Sequence, residues 1–137
     1  MENKIPKETA IEEIKKFVYE NLDVKKQDYE IESDYPQMLK AVELGLLTFD
    51  DKNHPTLVLK EPIKNDDGDV SLSEVKFRNR IKPSQLKEIM KGLDIQKNQV
   101  EYVQRQLAYI SMQSVAMLDK FSRFDYKVID QISTVFL

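Results

Sequence analysis

The side chains of this chain that could do chemistry are few and scattered. The single histidine, His54, sits in the run DDKNHP, where Asp50 and Asp51 are potential companions for a metal ion. With no cysteine and no second histidine, zinc would have too few good ligands. A lone histidine beside a proline in a turn is therefore expected to be a solvent-facing loop residue. NDDGDVSLSE matches part of an EF-hand calcium loop, with Asn65, Asp67, Gly68 and Glu74 falling where that pattern places ligands and its glycine. Its first ligand position is occupied by Ile63, Pro62 precedes it, and both flanks have strand character. A hairpin turn accounts for Asp67-Gly68 equally well. Neither GxSxG, GxGxxG nor a P-loop can be written with glycines only at Gly45, Gly68 and Gly92. Carboxylates abound but fall on faces expected to be exposed. Neither catalysis, a bound metal nor a cofactor is expected.

Two other groupings could bind rather than react. Lys76, Arg78, Arg80 and Lys82 alternate in KFRNRIK, which in a strand places them on one face. Such a face suits an anion or nucleic acid. It is also what the solvated side of a half-buried strand looks like when Val75, Phe77 and Ile81 fill the other side. No aromatic residues interleave with these cations as single-stranded nucleic acid would require, so the solvated face is preferred and nucleic acid is not expected as a partner. Further along, Tyr102, Tyr109, Met112, Met117, Phe121 and Tyr126 crowd together with Phe124 and Phe136. Met-rich and aromatic short helices build cores, and they also leave apolar grooves for partner segments. Both outcomes stay open from the sequence.

The chain has 137 residues, 41% hydrophobic and 33% charged, which suits one globular domain with a heavily charged surface. The net charge of −3 is uneven: residues 1–54 carry −5 and residues 55–137 carry +2. A nucleic-acid binder would show a strongly basic domain instead. No run of apolar residues is long enough to span a bilayer, so no membrane role is expected. The start, MENKIPKETAIEEIKK, has no apolar h-region, so no signal peptide is expected.

Periodicity supplies the elements that must position these residues. Ile11, Ile14, Val18 and Leu22 predict a helix over 8–22, and residues 23–33 lack a period and read as a connection. A helix over 35–44 follows, with Asp34 as its cap, Pro36 in its first turn, Met38, Leu39 and Val42 as its stripe, and Gly45 just beyond its end. Leu46–Phe49 is a candidate short strand and 50–53 a turn. Residues 56–60 predict a strand stopped by Pro62, paired across 64–69 with a strand over 69–78 carrying a bulge near Ser73–Glu74. Helices are then expected over 83–91, from an Asp94 cap through about 110 on a stripe of Val100, Val103, Leu107 and Ile110, over 112–119 from a Ser111 cap, and over 123–136. The last opens with Ser122 and Asp125, a capping box with Asp in place of Glu, and is expected to bury Phe124, Val128, Ile132 and Val135. The expected fold is α+β: two N-terminal helices, an antiparallel hairpin with a possible third strand, then about four helices. Strands do not alternate with helices, which argues against a parallel sheet.

Residues 55–137 resemble a known family. TLVLKEPIKNDDGDVSLSEVKFRNRIKPSQLKEI and LAYISMQSVAMLDKFSRFDYKVIDQISTVFL carry, in order, Pro62, Gly68, Arg78, Pro83, Leu86, Leu118, Asp125, Tyr126, Phe136 and Leu137. This order and spacing is similar to the tail assembly chaperones of Mu-like and related contractile-tailed phages. The resemblance implies a non-catalytic protein of the bacterial cytoplasm that coats the helical tape-measure protein before the tail tube forms. Tyr102, Tyr109, Met112, Met117, Phe121 and Tyr126 are then the candidate partner-binding residues. Residues 1–54 lie outside the resemblance, as a helical extension that completes the core or mediates self-association. The alternatives are a self-assembling structural phage protein, forming a homo-oligomer, and a small nucleic-acid-binding regulator.

Overall fold

The computed structural model describes residues 2–136. The elements run α1 (Lys7–Leu22), α2 (Asp28–Asp34), α3 (Pro36–Glu43), β1 (Leu47–Phe49), β2 (Pro55–Lys64), β3 (Val70–Lys76), α4 (Pro83–Met90), α5 (Gln99–Ser111), α6 (Val115–Leu118) and α7 (Arg123–Phe136). The fold is α+β, with N-terminal helices, then a three-stranded antiparallel sheet in the order β1-β2-β3, then C-terminal helices.

Helix α1 buries Ala10, Ile11, Ile14, Phe17 and Val18 on one face, while Leu22, at the far end of the expected stripe, is exposed. The stretch expected to be a connection contains α2. Its two turns hold one buried apolar residue, Ile31, too little for a period to show. Ile31 in the core and a Gln27–Glu30 capping box fix it, and ion pairs add to them at the surface: Lys15 with Asp28, Lys7 with Glu32, and Lys26 with Asp34 at 2.7 Å. Asp34 is the last residue of α2, so it does not cap α3, which starts with Tyr35 as N-cap and Pro36 in its first turn. The N-terminus of α3 is satisfied from afar, by Met38 N donating to Gln131 Oε1 on α7 at 2.9 Å. At its C-terminus Gly45 takes φ +76°, and the Gly45 and Leu46 amides return to the Val42 and Ala41 carbonyls. This is the Schellman closure that favours glycine. A side chain there would also meet Lys4 Cδ at 3.1 Å.

Leu47, Leu57 and Val75 lie across from one another and share the buried face of the sheet. Strand β2 continues through Pro62 to Lys64, and its pairing with β3 is irregular twice: Ser71 is an extra residue on β3 opposite Ile63–Lys64, and the larger bulge lies on β2 rather than near Ser73–Glu74. Val58 pairs with Glu74 and Ile63 with Leu72, so Leu59–Pro62 of β2 stand opposite Ser73 alone. The bulge puts the amides of Lys60 and Glu61 where the Asp125 carboxylate accepts them, at 3.0 and 3.1 Å. Pro62 needs no such partner, since it has no N–H. Asp125 is fully buried in the first turn of α7, where the helix dipole favours a negative group. Ser122 Oγ donates to it at 2.9 Å and accepts the Asp125 amide at 3.1 Å, so the serine half of the expected box forms, while the carboxylate takes the hydroxyl and the strand amides instead of the Ser122 amide.

One continuous core gathers α1, α3, the inner face of the sheet, α7, and Leu107, Ile110 and Leu118. Phe17 sits within it, 4.9 Å from the Phe49 ring and edge-on to Phe136 at 5.4 Å. Three C-terminal expectations are corrected. Asp94 does not cap α5; its carboxylate accepts the Gln96 amide in a separate turn, and α5 begins after Asn98. Ser111 caps no helix, because it is buried in the last turn of α5 with its hydroxyl on the Leu107 carbonyl at 2.6 Å; Ser114 caps α6 instead. Phe124 is only half-buried, with Lys60 Nζ 4.8 Å from its ring centre, and the buried stripe of α7 runs through Asp125, Val128, Ile129, Ile132 and Ser133. Leu137 lies outside the described residues.

Asp125→Ala is expected to cost about 3–5 kcal/mol, because it strands two amides and a hydroxyl that now meet a charged acceptor. Phe124→Ala, on a half-exposed ring, is expected to cost only about 1 kcal/mol. Urea unfolding of both variants measures the contrast, and a reversed order would mean that the bulge does not depend on the carboxylate.

Candidate functional site

The two acidic turns have the same construction. In each, an Asx side chain accepts two amides further along: Asp50 Oδ1 from Lys52 and His54 at 2.8 and 2.9 Å, and Asn65 Oδ1 from Asp67 and Asp69, both at 3.0 Å. In each, the fourth residue of the turn is left-handed, Asn53 at φ +59° and Gly68 at φ +85°. These are three-residue hairpin loops of the type I plus G1-bulge kind. The amides hold the Asp50 carboxyl below its ordinary range, His54 N–H first, so the first loop is intact at neutral pH and loosens only in acid. His54 Nδ1 stands 3.8 Å from Asp50 Oδ2, beside solvent. Asn65 Oδ1 is turned inward onto its own loop. Among the described residues, no three His, Asp or Glu side chains are grouped so as to hold a metal ion.

The basic run does not form a single strand face. Lys76 ends β3, while Arg78, Arg80 and Lys82 follow in an extended link outside the sheet. Arg78 is anchored to the end of α5: its amide donates to the Ile110 carbonyl at 2.8 Å, its Nε to the Tyr109 carbonyl at 2.9 Å, and its guanidinium stacks 4.3 Å from the Tyr109 ring centre. Lys76 lies near Glu74, and the Lys82 amide donates to Gln85 Oε1 at the start of α4. Arg80 borders a crevice with Glu20, Asn21 and the end of α7.

The aromatic and methionine residues are dispersed. Phe121 is 9% exposed and belongs to the core, and Met117 packs half-buried against it. Tyr102 accepts a hydrogen bond from Gln106 Nε2 at 3.0 Å. Tyr109 lies under Arg78. Met112 ends α5 in a left-handed conformation with 48% of its surface exposed. Tyr126 lines a groove; burial, then the charges of Asp130 and Asp119, push its phenol above the usual range, so it stays a neutral hydroxyl at physiological pH.

That groove was not legible in advance. Val100 and Val103 were expected to be buried on the α5 stripe, yet they are 74% and 44% exposed, while Leu107 and Ile110 on the same stripe are buried. The first half of α5 therefore overhangs the core with its apolar face uncovered. Two adjoining depressions follow it. One, of about 330 Å³, is lined by Gln99, Val100, Val103, Gln104 and Tyr126. The other, of about 600 Å³, lies among Gln96–Glu101, Gln104 and Val115. Apolar side chains on the floor, with amides and the charged Lys97 and Glu101 on the rim, suit the apolar stripe and polar flank of a partner helix. Among the described residues, no helix is long and apolar enough to cross a membrane.

No protein-family model, curated protein or solved structure matches this chain. Asn53→Gly is expected to raise stability by about 1 kcal/mol. Gly68 already serves this position in the second loop, and Asn53, 6% exposed, has a buried Nδ2 without a partner among the described residues. A lowered unfolding midpoint would show instead that the Asn53 side chain supports its surroundings.

Proposed function

We propose that this chain is a non-catalytic binding protein that receives an amphipathic partner helix on the overhanging half of α5. The observation that carries this reading is the exposure of Val100 and Val103 on the stripe whose continuation, Leu107 and Ile110, is buried. A helix laid along the Val100, Val103, Val115 and Tyr126 floor would prolong the core by its own apolar face. The resemblance of residues 55–137 extends the proposal: the partner is a tape-measure protein, and the role is that of a phage or prophage tail assembly chaperone in the bacterial cytoplasm. A shallow, open groove fits that role, since a chaperone must yield its client to the tube subunits.

The test is co-expression with overlapping fragments of the tape-measure protein encoded alongside, followed by pull-down and light scattering. A stoichiometric complex is expected with at least one fragment. Val100→Asp with Val103→Asp is expected to weaken it about tenfold or more, while changing stability by less than about 0.5 kcal/mol, as exposed positions do. Regular oligomers of the chain alone, with no fragment bound, would favour the self-assembling structural protein. Steeply salt-dependent DNA binding would favour the regulator.

A further inference from the structure

Between Arg78 and Gln99 the chain leaves the core and returns to it. Arg78 is fixed to the C-terminal end of α5 through the Ile110 and Tyr109 carbonyls, and Gln99 opens the same helix at its other end. The segment between these posts contains α4 and two turns. In α4 only Ile89 is buried, and it lies outside the continuous core. Asn79, Arg80 and Lys82, which lead into α4, are exposed, Ile81 among them is half-buried against the core, and Gly92, at φ +79°, follows α4 in a left-handed turn. The turn from Asp94 to Asn98 is self-contained, with the Lys97 and Asn98 amides on the Asp94 carbonyl and the Asp94 amide on Asn98 Oδ1. One side chain of α5 grips this excursion: Arg105 Nη1 donates to the Ile89 carbonyl at 3.2 Å and the Lys91 carbonyl at 2.9 Å, while its Nη2 meets Glu101 Oε1 at 3.2 Å. The guanidinium thus caps α4 and ties it to α5 at once.

We infer that residues 82–98 form a strap that opens from α5 as one unit, with Arg105 as its latch, and that it gates the groove on α5. The strap's last residues, Gln96, Lys97 and Asn98, form one wall of that groove, so opening widens it. An element with one buried side chain and its own local hydrogen bonds opens at a smaller free-energy cost than the core. The gating role rests on the helix-binding reading; the opening itself does not.

Hydrogen exchange of the full chain tests this without any partner. In the unsubstituted protein, amides 84–98 are expected to exchange faster than those of α1 and α7. Arg105→Gln is expected to speed exchange in 84–98 about tenfold, the loss of hydrogen bonds from a charged donor, and to leave α1 and α7 unchanged. Equal acceleration along the whole chain, or none, would overturn the latch. Binding of the apolar dye anilinonaphthalene sulfonate reads the gate: a severalfold rise in Arg105→Gln supports it, and unchanged binding alongside faster local exchange refutes it. Because neither measurement uses a partner helix, a failed pull-down would leave the strap standing. A failed strap would leave the Val100 and Val103 test intact.

Discussion

The fold turns on one buried carboxylate that pairs with no cation among the described residues. Asp125 sits fully buried in the first turn of α7 and accepts two backbone amides from β2 and the hydroxyl of Ser122. An unpaired charge in such a place would be costly, and here three donors and a helix N-terminus replace the water it lost. The same contact does two things: it holds the Ser122 hydroxyl that caps α7, and it satisfies amides of β2 that β3 does not reach. Gln131, further along α7, repeats the device by accepting the Met38 amide at the start of α3. The last helix of the fold therefore secures both the sheet and the N-terminal helices by side-chain to backbone bonds. The buried apolar stripe between these two polar contacts supplies most of the attraction.

Much of this could be read from residue order. Pro36, Gly45 and Pro83 mark helix boundaries through backbone restrictions that hold in any context. Ser122 and Asp125 announced the serine half of their box. What the sequence could not show were effects set by distant partners. Helix α2 is fixed by Ile31 in the core, with ion pairs to Lys7, Lys15 and Lys26 added at the surface, and no local period signals such contacts. The bulge moved to β2 because Pro62 and Asp125 act together, and nothing near Pro62 in sequence mentions residue 125. Phe124 and Asp125 exchanged their expected places because the larger apolar side chain is the natural guess for the interior. The groove was missed for a related reason. Periodicity identifies which face of α5 is apolar, but the distance to which the core extends along that face depends on where the neighbouring helices stop.

The positions that carry the family resemblance have mostly architectural work in this chain. Pro62 lies in the bulge, Gly68 in the second loop, Arg78 against α5, Pro83 at the start of α4, Leu118 in the core and Asp125 at the clamp. Tyr126 alone among them lines the groove. Most of these positions join the hairpin to the helices, while the surface proposed to bind is formed, Tyr126 apart, by residues outside that set.

Phe17, near the beginning of the chain, rests against Phe136, near its end. During synthesis α1 and α3 emerge long before the helix that covers them and caps α3. Until then α1, α2, α3 and β1 shelter one another only in part, and the amides of the β2 bulge lack the Asp125 acceptor. The ribosome must reach α7 before the core can close completely. A nascent chain that stalls before residue 123 would present the exposed helices and open strand that cellular quality control recognises, so completeness of translation is written into the topology itself.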